Sequence, residues 1–236
     1  MGRSAANLDT VLDDLEALVG RLFDFLELVR QELYARLDEA AAGGEAPTVA
    51  TISGLARVLQ GRLALEGTLV AGAGISFAPD ALAGSARHME WWTRPREEAE
   101  SQPLPVSFDP QSLSFYDYGE AEWYLRARDS GGPSVVGPYV DAFGTDEDVI
   151  TLSLPCAHGG AFVGVCSLDL RAGELDARVT RALRELDRRA ALVNAEGRVI
   201  ASTDVAHLPG SLLRDLDPAR RRGTTTAWSV VLLGVA

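Results

Sequence analysis

DVITLSLPCAHGGAFVGVCSLDL, residues 148–170, decides the fold. Residues 148–156 and 161–170 read as two strands, and AHGG between them reads as a hairpin turn. SVVGPYVDA, residues 134–142, is a third strand of the same kind. The three predict an antiparallel meander. One residue in it breaks the pattern. Asp169 lies in the otherwise apolar run VGVCSLDL, and a carboxylate inside a sheet needs a partner.

Upstream, TLVAGAGISFAP (68–79) reads as a strand closed by Pro79, with another strand around 88–93. A polar loop or short hairpin follows at 95–105. Residues 112–118 are short and extended, and GEAEWYLRAR suits a short helix crossing the sheet edge. Earlier still, Leu8, Val11, Leu15, Leu18, Leu22, Phe25, Val29 and Leu33 recur at alternating three and four, a heptad seam over 7–41. Leu12, Val19, Phe23 and Leu26 widen it. Such a helix suits two partners, its own domain and a second copy of the chain, or its own sheet alone. A second helix starts at Thr51 or Ser53 and runs to about Leu65. Downstream come a helix over 174–189, a hairpin turning at 194–197, the Arg220, Arg221, Arg222 run as a loop, and a last strand over 224–235. The order is α+β around one antiparallel sheet. Residues 1–66 form a helical arm for packing or dimerisation, and 67–236 form the main domain.

Composition narrows the function. Formal net charge is −12, which argues against nucleic acid, because phosphate contacts need a basic stripe. All 22 basic residues are arginine, as in a GC-rich bacterial genome, so lysine chemistry is excluded. Two cysteines, Cys156 and Cys166, are too few for a disulfide scaffold and read as small buried hydrophobes. The N-terminus does not read as a signal peptide, and no apolar run is long enough to span a membrane. A cytoplasmic location is expected. His88, His158 and His207 lack metal spacing. GAG at 72–74 lacks the dinucleotide pattern. No nucleophile motif stands out, and no cofactor is implied.

The long helix, WW at 91–92, FYDY and EWY within 115–124, GPYVD and GVCSLDL together resemble a Cache domain, a PAS-like sensor module, over roughly residues 8–205. That resemblance implies a central antiparallel sheet with the long N-terminal helix and the second helix packed on it. Many amino-acid-binding members share Tyr, four residues, Arg, one residue, Trp-Tyr, two residues, Ala, then a later Tyr and two acids. Tyr116, Trp123, Tyr124, Ala127, Tyr139, Asp141 and Asp169 match that register. The arginine does not, because Ala121 stands there. In the family that arginine clamps the ligand's carboxylate, and alanine offers no donor. The resemblance implies that Asp141, Asp169 and Tyr139 hold an ammonium, walled by Tyr116, Trp123, Tyr124 and Trp92. Trp91 and Trp92 point to opposite faces of a strand, so one of them belongs to the core. Trp123 and Tyr124 also suit a plain core, and Asp141 a turn cap.

The expected function is a small-molecule sensor for a biogenic amine, a related small cation or an amino acid, with Arg126 or Arg128 as substitute carboxylate partners. No output module is recognisable, so signalling is expected through a separate regulator or transporter. A dimerisation module with a self-filled cavity is the alternative, and a hydrolase or isomerase using paired aspartates is a third.

Overall fold

The three-and-four spacing folds as one helix of 35 residues, α1 (Leu8–Ala42). The computed structural model describes residues 7–96, 100–112, 115–142, 144, 146–214, 220–224 and 228–234. Asn7 caps α1 by accepting the Asp9 N–H at 3.3 Å. Ten of its apolar residues are buried, in a stripe from Val11 to Leu37. α2 (Leu55–Leu63) begins later than the sequence suggests, because residues 49–54 are turns, but Ile52, Leu55, Leu59 and Leu63 are fully buried.

The large sheet comprises β1 (Val70–Phe77), β2 (Met89–Thr93), β3 (Gln102–Pro103), β4 (Ser134–Val140), β5 (Asp148–His158) and β6 (Ala161–Arg171). A 3-10 turn (Tyr118–Glu120) and α3 (Glu122–Ser130) precede β4. The strand order is β3-β2-β1-β6-β5-β4, and every pair is antiparallel.

Strand alternation gives this sheet two different faces. One carries Ala73, Ile75, Phe77, Ile150, Leu152, Leu154, Cys166, Leu168 and Leu170, all buried against α1 and α2. Cys156 and Cys166 lie in this layer with their Sγ atoms 3.3 Å apart. The opposite face is made of small and polar residues in register. Gly72 lies between Thr93 and Asp169, and Gly74 between Trp91 and Ser167. Thr151 faces Asp169, and Ser153 faces Ser167, their hydroxyls 2.9 Å apart.

The sequence predicts one sheet, and the chain builds two. After α4 (Ala172–Leu183), strands β7 (Ala190–Val193), β8 (Val199–Ser202), β9 (Arg221–Gly223) and β10 (Ser229–Leu232) form a separate sheet in the order β8-β7-β10-β9. Alternation identifies a strand but not its neighbour, which is why this division was not visible. The arginine run read as a loop supplies β9, an edge strand, where Arg221 Nε donates to Ser229 Oγ at 2.8 Å. Charged side chains are common on edges because they discourage further pairing. Residues 225–227 and 235 of the predicted last strand lie outside the described residues.

A single apolar core joins α1, α2, one face of the large sheet, α4 and part of the small sheet through Leu192, Trp228 and Val230. The helices before residue 67 and the sheets after it therefore share that core. The heptad seam, offered as a contact between two copies, is occupied within the chain: Leu22, Leu26, Val29 and Leu33 have no exposed surface. Exposed positions on α1 carry Asp9, Asp13, Asp14, Glu16 and Asp24. Leu26→Ala should cost about 2–5 kcal/mol of stability, read from denaturant melts. A chain lacking residues 1–45 should show no cooperative unfolding by circular dichroism, whereas removal of a mere dimerisation arm would leave the melt sharp.

Candidate ligand-binding site

On the polar face, Met89, Trp91, Leu104, Tyr116, Trp123, Tyr139, Asp141 and Asp169 surround a cavity. It has about 10 Å³ open to the centre of a water molecule, room for a single water. Asp169 comes from β6, a strand paired on both sides. Tyr139 comes from the end of β4 and Asp141 follows that strand directly, and both reach this face through an irregularity. The register slips between Val136 and Tyr139, around Gly137 at φ +120°. A Cβ there would stand 2.8 Å from the Val149 carbonyl oxygen, so the position needs glycine. The slip reverses the alternation. Val136 and Tyr139 both lie on the polar face, while Val140 points out to solvent at 60% exposure. Asp141 then returns to the cavity.

Two further walls are tryptophans. Trp123 stands on α3, which ends at Gly131 in the left-handed region, its N–H bonded to the Ala127 carbonyl at 3.1 Å. Trp91 lies across the glycines of β1. A Cβ on Gly72 would stand 2.8 Å from its Nε1, and one on Gly74 the same distance from its Cε3. The GAG stretch is therefore a seat for an indole. The rings of Trp91 and Trp123 pack with centroids 6.3 Å apart.

The electrostatics are one-sided. Thr151 Oγ1 donates to Asp169 Oδ1 at 2.6 Å, which leaves the Tyr139 hydroxyl to donate to Thr151 Oγ1, also at 2.6 Å. Burial pushes the Asp169 carboxyl up to about 8, the Thr151 bond opposes this, and the charges of Asp141 and Glu147 add to the rise. Burial also raises the phenols of Tyr116 and Tyr139, with the two aspartates adding to it. The Trp123 side chain opposes the rise at Tyr116. No arginine stands among the lining residues. Among the described residues, no three His, Cys, Asp or Glu side chains group as a metal site requires.

Five of the seven residues proposed from sequence meet here: Tyr116, Trp123, Tyr139, Asp141 and Asp169. Trp92 does not. It packs on the core at the opposite face, and its Nε1 donates to Glu90 Oε1 at 2.7 Å. The neighbouring Trp91 takes the wall. Tyr124 stands behind the cavity, buried against Tyr118, Trp123 and Phe162, its hydroxyl raised to about 12 by burial. Neither substitute arginine reaches the site. Arg126 bonds Glu122 and Glu196 at 2.6 and 3.4 Å, and Arg128 bonds its neighbour Asp129 at 2.8 Å. Thr151, Met89 and Leu104 were not among the residues expected from sequence. Thr151 was accessible from strand pairing, which places it opposite Asp169.

No family model matches the sequence. Solved structures do match the fold. The ligand-binding domain of the Campylobacter jejuni chemoreceptor Tlp3 in complex with L-valine is similar with a TM-score of 0.64 at 13% identity, over 95% of this chain and 88% of that one. The ligand-binding domain of the Pseudomonas aeruginosa PAO1 amino acid chemoreceptor PctC in complex with GABA gives 0.58 at 19% identity, over 95% and 94%. The chain has a Cache fold. At these identities the likeness is one of architecture. No helix among the described residues is long and apolar enough to cross a membrane.

The raised Asp169 carboxyl has a measurable consequence. Between about pH 4 and 8 the folded chain holds a proton that the unfolded chain has lost, so stability falls as pH rises through that window. One such proton gives a slope of about 1.4 kcal/mol per pH unit. Asp169→Asn keeps the oxygen that accepts from Thr151 and removes the slope. Its stability advantage over the native chain should grow from pH 4 to 8 and level off above, in urea melts across that range. A constant difference would mean that the carboxyl ionises freely.

Proposed function

We propose that the chain is a small-molecule sensor domain whose cavity takes a primary amine without an α-carboxylate. The observation that carries this is the convergence of Asp141, Asp169 and Tyr139 on one cavity walled by Trp91, Trp123 and Tyr116, with no arginine among the walls. An ammonium offers three N–H donors, and carboxylates and a phenol accept them. The indole and phenol faces add cation–π attraction of about 0.5–2 kcal/mol per contact. A carboxylate on the ligand would meet two acids and no cation. The Tlp3 and PctC domains were solved with L-valine and GABA, so a nitrogenous small molecule in this fold has precedent.

Entry requires an opening, because the cavity holds only one water. Leu104 and Tyr116 stand just outside the strands, their N–H groups donating to the Trp91 and Ser107 carbonyls at 3.0 and 2.9 Å, and their displacement is the proposed route. Output is proposed to pass through α1 to a separate regulator or transporter. What supports this is β6, along which Asp169 faces the cavity while Leu168 and Leu170 face the helix core. The small volume also favours a second reading, a scaffold whose cavity is filled by its own side chains.

Calorimetry with butylamine and with 2-aminobutanoate separates the readings. Butylamine should bind, and 2-aminobutanoate should bind at least tenfold more weakly. Asp169→Asn should weaken butylamine at least tenfold, since a charge-assisted bond is worth about 1.5–3 kcal/mol. Butylamine keeps its charge throughout, so its affinity should rise about tenfold per pH unit between 6 and 8 as Asp169 surrenders its proton. Preference for the amino acid would sink the amine reading, and silence from both would favour the scaffold.

A further inference from the structure

Trp91 is the one lining residue with a sealed polar atom, Nε1, that has no hydrogen-bond partner among the described residues. Its side chain is well buried, the residue being 6% exposed. Buried donors are normally paired. The neighbouring indole of Trp92 conforms, its Nε1 donating to Glu90 Oε1. The position of the Trp91 donor is well defined, because Nε1 lies 2.8 Å from where a Gly72 Cβ would stand. Gly72 pairs directly with Asp169. Donor and carboxyl thus flank one glycine on the same face, where paired positions are about 4.5–5.5 Å apart.

We infer that the Trp91 N–H recognises an oxygen acceptor on the ligand, and that the ligand class is a short amino alcohol. This rests on the amine reading above. The ammonium faces Asp141 and Asp169, and the hydroxyl oxygen accepts from Trp91. A hydroxyl suits this position better than a carboxylate, because two acids and no cation line the cavity. It also has a proton of its own to donate. Nitrogen and oxygen separated by two carbons are three bonds apart. Three bonds span at most about 3.6 Å, as in one extended residue, so the pair fits between a donor and an acid that flank one glycine.

The test compares 2-aminoethanol with propylamine, which has the same number of heavy atoms and no acceptor. Calorimetry on the full chain should show 2-aminoethanol binding at least tenfold more tightly, and Trp91→Phe should bring that ratio near one. In nitrogen–proton correlation spectra of the native chain, the Trp91 indole proton should move downfield with 2-aminoethanol and not with propylamine. This second readout stands even if the variant fails to fold. Equal binding of the two amines, or a preference with the Trp91 signal unmoved, overturns the assignment and leaves the amine reading in place. Failure of both amines to bind removes the amine reading and this inference with it.

Discussion

Asp169 is held on a strand with β1 on one side and β5 on the other, almost wholly buried, and no arginine lines its cavity. A carboxyl there stays neutral or finds a cation, because an isolated buried charge is costly. The surrounding residues fit that alternative. Thr151 gives it one hydrogen bond, Tyr139 supports Thr151, and Gly72 leaves the space beside it open to the Trp91 indole. Burial favours its protonated form, and in the amine reading proposed above an ammonium takes the place of that proton. A cation and a proton then compete for one position, which links occupancy to pH.

The architecture makes this possible by dividing labour between faces. The apolar face of the sheet is sealed by α1 and α2, whose apolar stripes join the core. The other face is thereby released from building the core and can carry glycine, serine, threonine and a carboxyl. A smaller aromatic cluster around Tyr118, Trp123 and Tyr124 covers part of it.

Much of this was legible in the sequence. The alternation in 134–170 marked the meander, and the three-and-four spacing marked α1. Asp169 was conspicuous as the one carboxyl in an apolar strand. What was not legible depended on partners. Nothing local distinguishes β7 and β10 from strands of the first sheet. Trp91 and Trp92 are equivalent until the glycines opposite Trp91 are paired with it, and GAG then explains the choice. Arg126 looked available, but an exposed arginine one helical turn from Glu122 has a nearer partner. Gly137 followed by Pro138 inside a strand was a readable sign of a bulge, and it decides which way Tyr139 and Asp141 face.

The slip at Gly137 has a wider consequence. Everything beyond it on β4 is phased independently of the central strands, so the far end of that strand behaves as a replaceable cassette. Insertion or loss of one residue there would exchange the Tyr139 and Asp141 pair for their outward neighbours while β5 and β6 kept their contacts with the helices. Chemical taste could therefore diversify by single-residue length changes at one edge, without renegotiating the hydrophobic interior.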